Sequence, residues 1–93
     1  MDIKNLARGV AQKNGGKEVD GKIFASIIGK DGKPGKAFFD SQVGKFRPVV
    51  NDGEVPVGIK GQGLNKWAAG KLNDFLMLAA EADTLKENPE TRS

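Results

Sequence analysis

Apolar residues at Ile3, Leu6, Ala7 and Val10 fall at the i, i+3, i+4 and i+7 spacing of one helical stripe, which predicts a short helix ending near Asn14-Gly15-Gly16. About three turns are marginal alone, so this stripe has to dock on something. Beyond the glycine pair the period changes from helical to extended. Lys22 to Gly29 is rich in β-branched and aromatic residues and too short for a typical helix, and it is expected as a strand. Lys30-Asp31-Gly32-Lys33-Pro34-Gly35 has turn composition. A second strand is expected over Lys36 to Val43, with Ala37, Phe39, Ser41 and Val43 on one face and Phe38, Asp40 and Gln42 on the other.

Gly44 breaks that run, and Lys45 to Val50 forms a third expected strand in which Pro48 argues for an edge or a bulge. Asn51-Asp52-Gly53 has the composition of a hairpin turn. A fourth strand is expected where Val55, Val57 and Ile59 alternate with Pro56, Gly58 and Lys60. Asn65 suits a helix N-cap, and from Lys66 to about Lys86 only Gly70 interrupts a long helical pattern. Ala68, Leu72, Phe75, Leu76 and Ala79 make its main stripe, with Trp67, Leu78, Ala82 and Leu85 beside it. One thin sheet cannot cover so wide an arc. The spare side, centred on Trp67, Leu78 and Leu85, is expected to pair with a second copy across a two-fold axis. The organisation is a short N-terminal helix or arm over 1–16, a four-strand-plus-helix unit over 17–87 and a solvated, disordered tail over 88–93. The fold class is α+β, a curved four-stranded antiparallel sheet followed by a long helix.

Composition narrows the function. A chain of 93 residues buries little apolar surface in one copy, so a dimer supplies missing core. With no cysteine, histidine or tyrosine, disulfides, thiolate nucleophiles, most zinc sites and the commonest general base are removed. The remaining carboxylates, lysines and hydroxyls form no recognisable catalytic cluster, so no enzyme, cofactor or metal is expected. Nor does any apolar run approach the roughly 18 residues of a membrane span, and the first residues lack a secretory core; a cytoplasmic protein is expected.

Charge is lopsided. Residues 1–60 carry eleven Lys/Arg against seven Asp/Glu, whereas residues 61–93 carry four against five. The surplus gathers on and beside the expected strands as Lys22, Lys30, Lys33, Lys36, Lys45, Arg47 and Lys60, with Phe24, Phe38 and Phe46 interleaved. Lysine and arginine neutralise phosphates, and an exposed ring offers any base a stacking platform. Of the aromatics, Phe46 between Lys45 and Arg47 is expected to be the exposed one, and Phe39 and Phe75 are expected in the core. Gly61-Gln62-Gly63 lacks the strand–turn–helix spacing of a phosphate-gripping loop and serves to end a strand.

The order Asp52-Gly53-Glu54, Gly58-Ile59-Lys60-Gly61-Gln62-Gly63-Leu64-Asn65 and Trp67 resembles the strand-to-helix signature of the positive cofactor four family of transcriptional coactivators and its prokaryotic and phage relatives. Upstream, Lys33-Pro34-Gly35-Lys36-Ala37-Phe38-Phe39-Asp40 is similar to that family's Lys-Gly-Lys turn with its three apolar residues and Asp. The likeness covers about residues 22 to 86. It implies a homodimer joined through the C-terminal helices, whose curved sheets form channels for two antiparallel strands of single-stranded DNA or for melted duplex; whether RNA competes with DNA is left open by the sequence. On this likeness Lys60 matches the basic strand lysine and Lys36 the lysine closing the first turn. Trp67 matches the packing Trp of the helix, and Phe46 stands near an aromatic preceding the central turn. Ile59 and Gln42 stand where the family carries Arg, and the family's Ser-rich acidic segment is absent, as in a compact phage or bacterial member whose DNA transaction is replication, recombination, repair or transcription. The competing expectation is a small dimeric regulator that docks on a protein and has no nucleic-acid role.

Overall fold

The computed structural model describes residues 2–87, apart from the side chains of Asp52 and Glu87. The expected tail over 88–93 lies outside the described residues. Helix α1 (Ile3–Lys13) opens at Asp2, whose carboxylate accepts from Lys4 N at 3.1 Å and Asn5 N at 3.4 Å. It closes where Gly15, at φ +61°, turns the chain so that Gly16 N donates to Ala11 O at 2.9 Å. The strands β1 (Lys17–Val19), β2 (Lys22–Ile28), β3 (Pro34–Asp40) and β4 (Lys45–Pro48) form one antiparallel sheet in the order β1-β2-β3-β4. Helix α2 (Asn65–Glu87) packs across it.

The expected α+β class and four-stranded sheet are present, with one strand exchanged. Strand β1 is not among the expected strands. It exists because Asp20 and Gly21, at φ +53° and +80°, make the two-residue link between the paired Val19 and Lys22, a hairpin whose twist suits the strands. The strand expected at Val55, Val57 and Ile59 is instead an irregular segment after the short 3-10 helix Asp52–Glu54. Pro56 offers no N–H to a ladder, and Gly58, at φ +101°, bends the run away from an extended course. Ile59 and Val55 are covered by lying across the sheet, where they meet Phe24, Phe38 and Val49, whereas Val57 is 92% exposed. Pro48 does sit on an edge strand.

The two faces of the sheet are therefore filled differently. Toward the helices, Ile23, Ala25, Ala37, Phe39 and Phe46 join Ala7, Val10 and Ala11 of α1 and Ala69, Leu72 and Leu76 of α2 in one core. The α1 stripe thus docks within the main core, not as a separate arm. Backbone approach is close where glycine permits it: a Cβ on Gly35 would stand 2.8 Å from Ala68 Cβ, and one on Gly16 would stand 2.0 Å from Phe24 O.

Asn65 does not cap α2. Ala68 N bonds to Leu64 O at 3.0 Å, and the Asn65 side chain turns back to the sheet. Its Oδ1 accepts from Lys36 N at 2.9 Å and its Nδ2 donates to Val49 O at 2.9 Å, while Val49 N reaches Lys36 O at 3.3 Å. The amide is inserted as a rung between the ends of two strands. The sheet needs this because β3 and β4 separate there, and an unpaired peptide group under a helix is costly.

Candidate nucleic-acid interface

The face of the sheet turned away from the helices follows from register. Lys17 pairs with Phe24, Phe24 with Phe38 and Phe38 with Arg47, so a cation, two rings and a cation form one cross-strand row. One step along, Ser26 pairs with Lys36; at the other end Val19 pairs with Lys22, and Asp40 with Lys45. Side chains of directly paired residues share a face, and alternate residues of one strand share it too. Lys17, Lys22, Lys36, Lys45 and Arg47 therefore all belong to the outer face.

The segment from Val49 to Leu64 brings Lys60 onto the same face. Ser26 Oγ donates to Lys60 O at 2.8 Å, and Ser26 is the register partner of Lys36. Lys17 Nζ donates to Val57 O, and Gln62 N and Gly63 N both donate to Pro34 O, at 2.8 and 2.7 Å. These bonds fix a strap across the middle of the sheet. Lys30 and Lys33 are exposed on the β2–β3 turn, which Gly29 N closes on Lys33 O at 2.8 Å. Lys22, Lys45, Arg47 and Lys60 are exposed as well.

Two of the expected contact residues are placed differently. Phe46 is 2% exposed and lies on the helix side, edge-on to Phe39 with ring centroids 5.6 Å apart. It is a core residue and offers no stacking surface. The turn Ser41–Gly44, closed by Gly44 N on Asp40 O at 2.8 Å with Gly44 at φ +72°, sets Phe39 opposite Phe46, and both rings face inward. The outward aromatic is Phe38, half-buried between Phe24 and Arg47 in the row.

Lys36 is only 6% exposed, so it is not an open phosphate contact. Its stem runs beneath Gly61, where a Cβ would come within 2.5 Å of Lys36 Cδ, and its Nζ donates to Gly61 O at 3.4 Å. Lys17, absent from the expected set, stands in its place on the outer face, signalled in the sequence only by the Val19-Asp20-Gly21-Lys22 hairpin that brings β1 alongside β2.

Asp40 accepts from Arg47 Nη1 at 3.4 Å and from Gln42 N at 3.0 Å. Glu54 stands at the edge of a cavity of about 390 Å³ bounded also by Lys22, Phe24, Phe38 and Val49. At the far edge of the sheet Arg8 of α1 donates to Glu18 of β1, at 2.5 Å from Nε and 3.2 Å from Nη2. The bond from Arg8 lowers the Glu18 pKa below its usual value and raises that of the guanidinium.

Of the expected pairing surface, Leu78 and Leu85 are 62% and 50% exposed, and Met77 beside them is 62% exposed. Trp67 is half-buried next to Gly29, whose Cβ position lies 3.6 Å from Trp67 Cε3. Helix α1 packs on the main stripe of α2, where Ile3, Leu6, Phe75 and Ala79 lie against the shared core, and Leu78 borders the groove between the two helices. Among the described residues no helix is long and apolar enough to cross a membrane, and no group of His, Cys, Asp or Glu is suited to hold a metal ion. Compared with protein-family models, curated proteins and solved structures, the chain matches none.

Proposed function

We propose that this chain is a non-enzymatic, sequence-tolerant binder of single-stranded DNA whose outer sheet face holds the phosphate backbone, acting in the cytoplasm in replication, recombination, repair or transcription. The observation that carries the reading is the gathering of Lys22, Lys45, Arg47 and Lys60, all exposed, on the face where the register also turns Phe38 outward. Cations at strand spacing neutralise successive phosphates without reading base edges, which is why the binding is tolerant of sequence. The resemblance of Lys33–Asp40 and Gly58–Asn65 to motifs of the positive cofactor four family supports the same reading.

A homodimer belongs to the proposal. Leu78 and Leu85, seven residues apart, form an exposed apolar strip on α2 with Met77 on its flank, and pairing two such strips sets two sheets side by side. Melted duplex and RNA present the same backbone chemistry and are expected to compete with single-stranded DNA.

The test is a fluorescence anisotropy titration of a labelled oligothymidylate of about 20 nucleotides, comparing the wild-type chain with Lys22→Glu/Arg47→Glu. The wild type is expected to bind and the reversed variant to lose at least about tenfold in affinity, roughly the 1.4 kcal/mol of two weakened phosphate contacts. Equal binding by the two chains would remove this face from the interface. Absence of binding by the wild type at low salt would favour a regulator that docks on a protein through the α2 strip.

A further inference from the structure

We propose that the cavity between the outer sheet face and the segment 49–54 takes one unpaired nucleobase, stacked on Phe38; this rests on the strand-binding reading above. The two outward rings of the cross-strand row differ in what covers them. Both line the cavity, but Phe24 is 5% exposed beneath Ile59 and Val49, whereas Phe38 is only half-buried. At about 390 Å³ the cavity falls in the lower part of the roughly 300–1,000 Å³ range of small-molecule sites, so it suits a group of nucleoside size.

Charge around the cavity sorts base from backbone. Lys22 at its edge and Arg47, register partner of Phe38, can hold the phosphates on either side of a base. The Asp40 and Glu54 carboxylates on the lining repel a phosphate that tries to enter, while they can accept hydrogen bonds from base edges. Asp40 is already fixed, accepting from Arg47 and from Gln42 N, so the wall is set before a ligand arrives. The arrangement admits a ring and leaves the charged strand outside. Because every base has a π face, a platform of this kind adds affinity without demanding a sequence.

The experiment titrates wild-type chain and Phe38→Leu against an intact oligothymidylate and against a strand of equal length carrying abasic sites. Leucine keeps an apolar side chain on the half-buried site and lacks the ring face, and a thermal melt of the variant confirms that it is folded; Phe38→Trp serves as the rescuing variant. The expected result is about a tenfold loss on the intact strand for Phe38→Leu, restoration by Phe38→Trp, and no change on the abasic strand. If the wild type binds intact and abasic strands equally, or Phe38→Leu binds both as the wild type does, the base site is overturned and phosphate binding by this face still stands. If the wild type binds neither strand, the strand-binding reading itself falls and the base site with it.

Discussion

Asn73 holds the edge of the sheet by gripping a single residue, Phe46, at both ends of its peptide: Oδ1 accepts from Phe46 N at 2.6 Å and Nδ2 donates to Phe46 O at 2.9 Å. A side-chain amide of α2 thus does for the edge strand β4 what a fifth strand would do. With Asn65 bonded to Lys36 N and Val49 O, the helix is tied to β3 and β4 at two levels. Truncating the amide leaves two partly buried backbone groups without partners, so Asn73→Ala is expected to destabilise the fold by about 2 kcal/mol. A urea unfolding midpoint unchanged within error would contradict it.

Gly16 has a stricter requirement. A Cβ there would meet Phe24 O at 2.0 Å, Ala11 O at 2.7 Å and Ala25 Cα at 2.9 Å, all of them backbone atoms that cannot step aside. Gly16→Ala is expected to cost more than about 2 kcal/mol, whereas Gly9→Ala, with nothing within 4 Å of the new methyl, is expected to stabilise α1 by up to about 1 kcal/mol. Parallel thermal melts check both. A Gly16→Ala chain that melts with the wild type would show that α1 and β2 are not packed this closely.

The Arg8–Glu18 pair gives a pH dependence with a definite sign. Because the bond from Arg8 lowers the folded-state pKa of Glu18, its contribution is fully present above the unfolded value of about 4.3 and is lost as pH falls through the lower folded value. Acidification below about pH 4 is therefore expected to loosen the contact between α1 and β1, and Glu18→Gln is expected to flatten that part of the stability–pH curve. A carboxyl titration by NMR that returns the ordinary glutamate value for Glu18 would remove this account.

Leu78→Asp combined with Leu85→Asp places charge on the exposed strip of α2, with both positions well open in the single chain. The wild type is expected to scatter light as twice the 9.9 kDa chain and the double variant as one, with helix content retained. A monomeric wild type would separate strand binding from any pairing of sheets.

Much of this architecture is legible along the chain, and the failures share one cause. The alternation along β3 puts Phe39 and Phe38 on opposite faces, as observed, and the α1 stripe and the α2 main stripe both reach the core. The position of Phe46 depended on how many residues the turn after Asp40 consumes, a register question that periodicity within one strand does not answer. The same holds for Lys36: its place on the basic face follows from alternation, but its burial comes from Gly61, distant in sequence, which leaves room for its stem. Val55 and Ile59 of the alternating run lie against the sheet while Val57 stays open to solvent, and only Pro56 and Gly58 hint that the cover is the sheet's face and not a neighbouring edge. Local pattern reports which side is buried. It does not report by what.

The most direct measurement is the salt dependence of wild-type affinity for an oligothymidylate. If Lys22, Lys45, Arg47 and Lys60 each neutralise a phosphate, log K falls against log salt with a slope of about −3, from roughly −0.7 per phosphate on a single strand. A slope near zero, or no binding at low salt, would contradict a phosphate-holding role for this face.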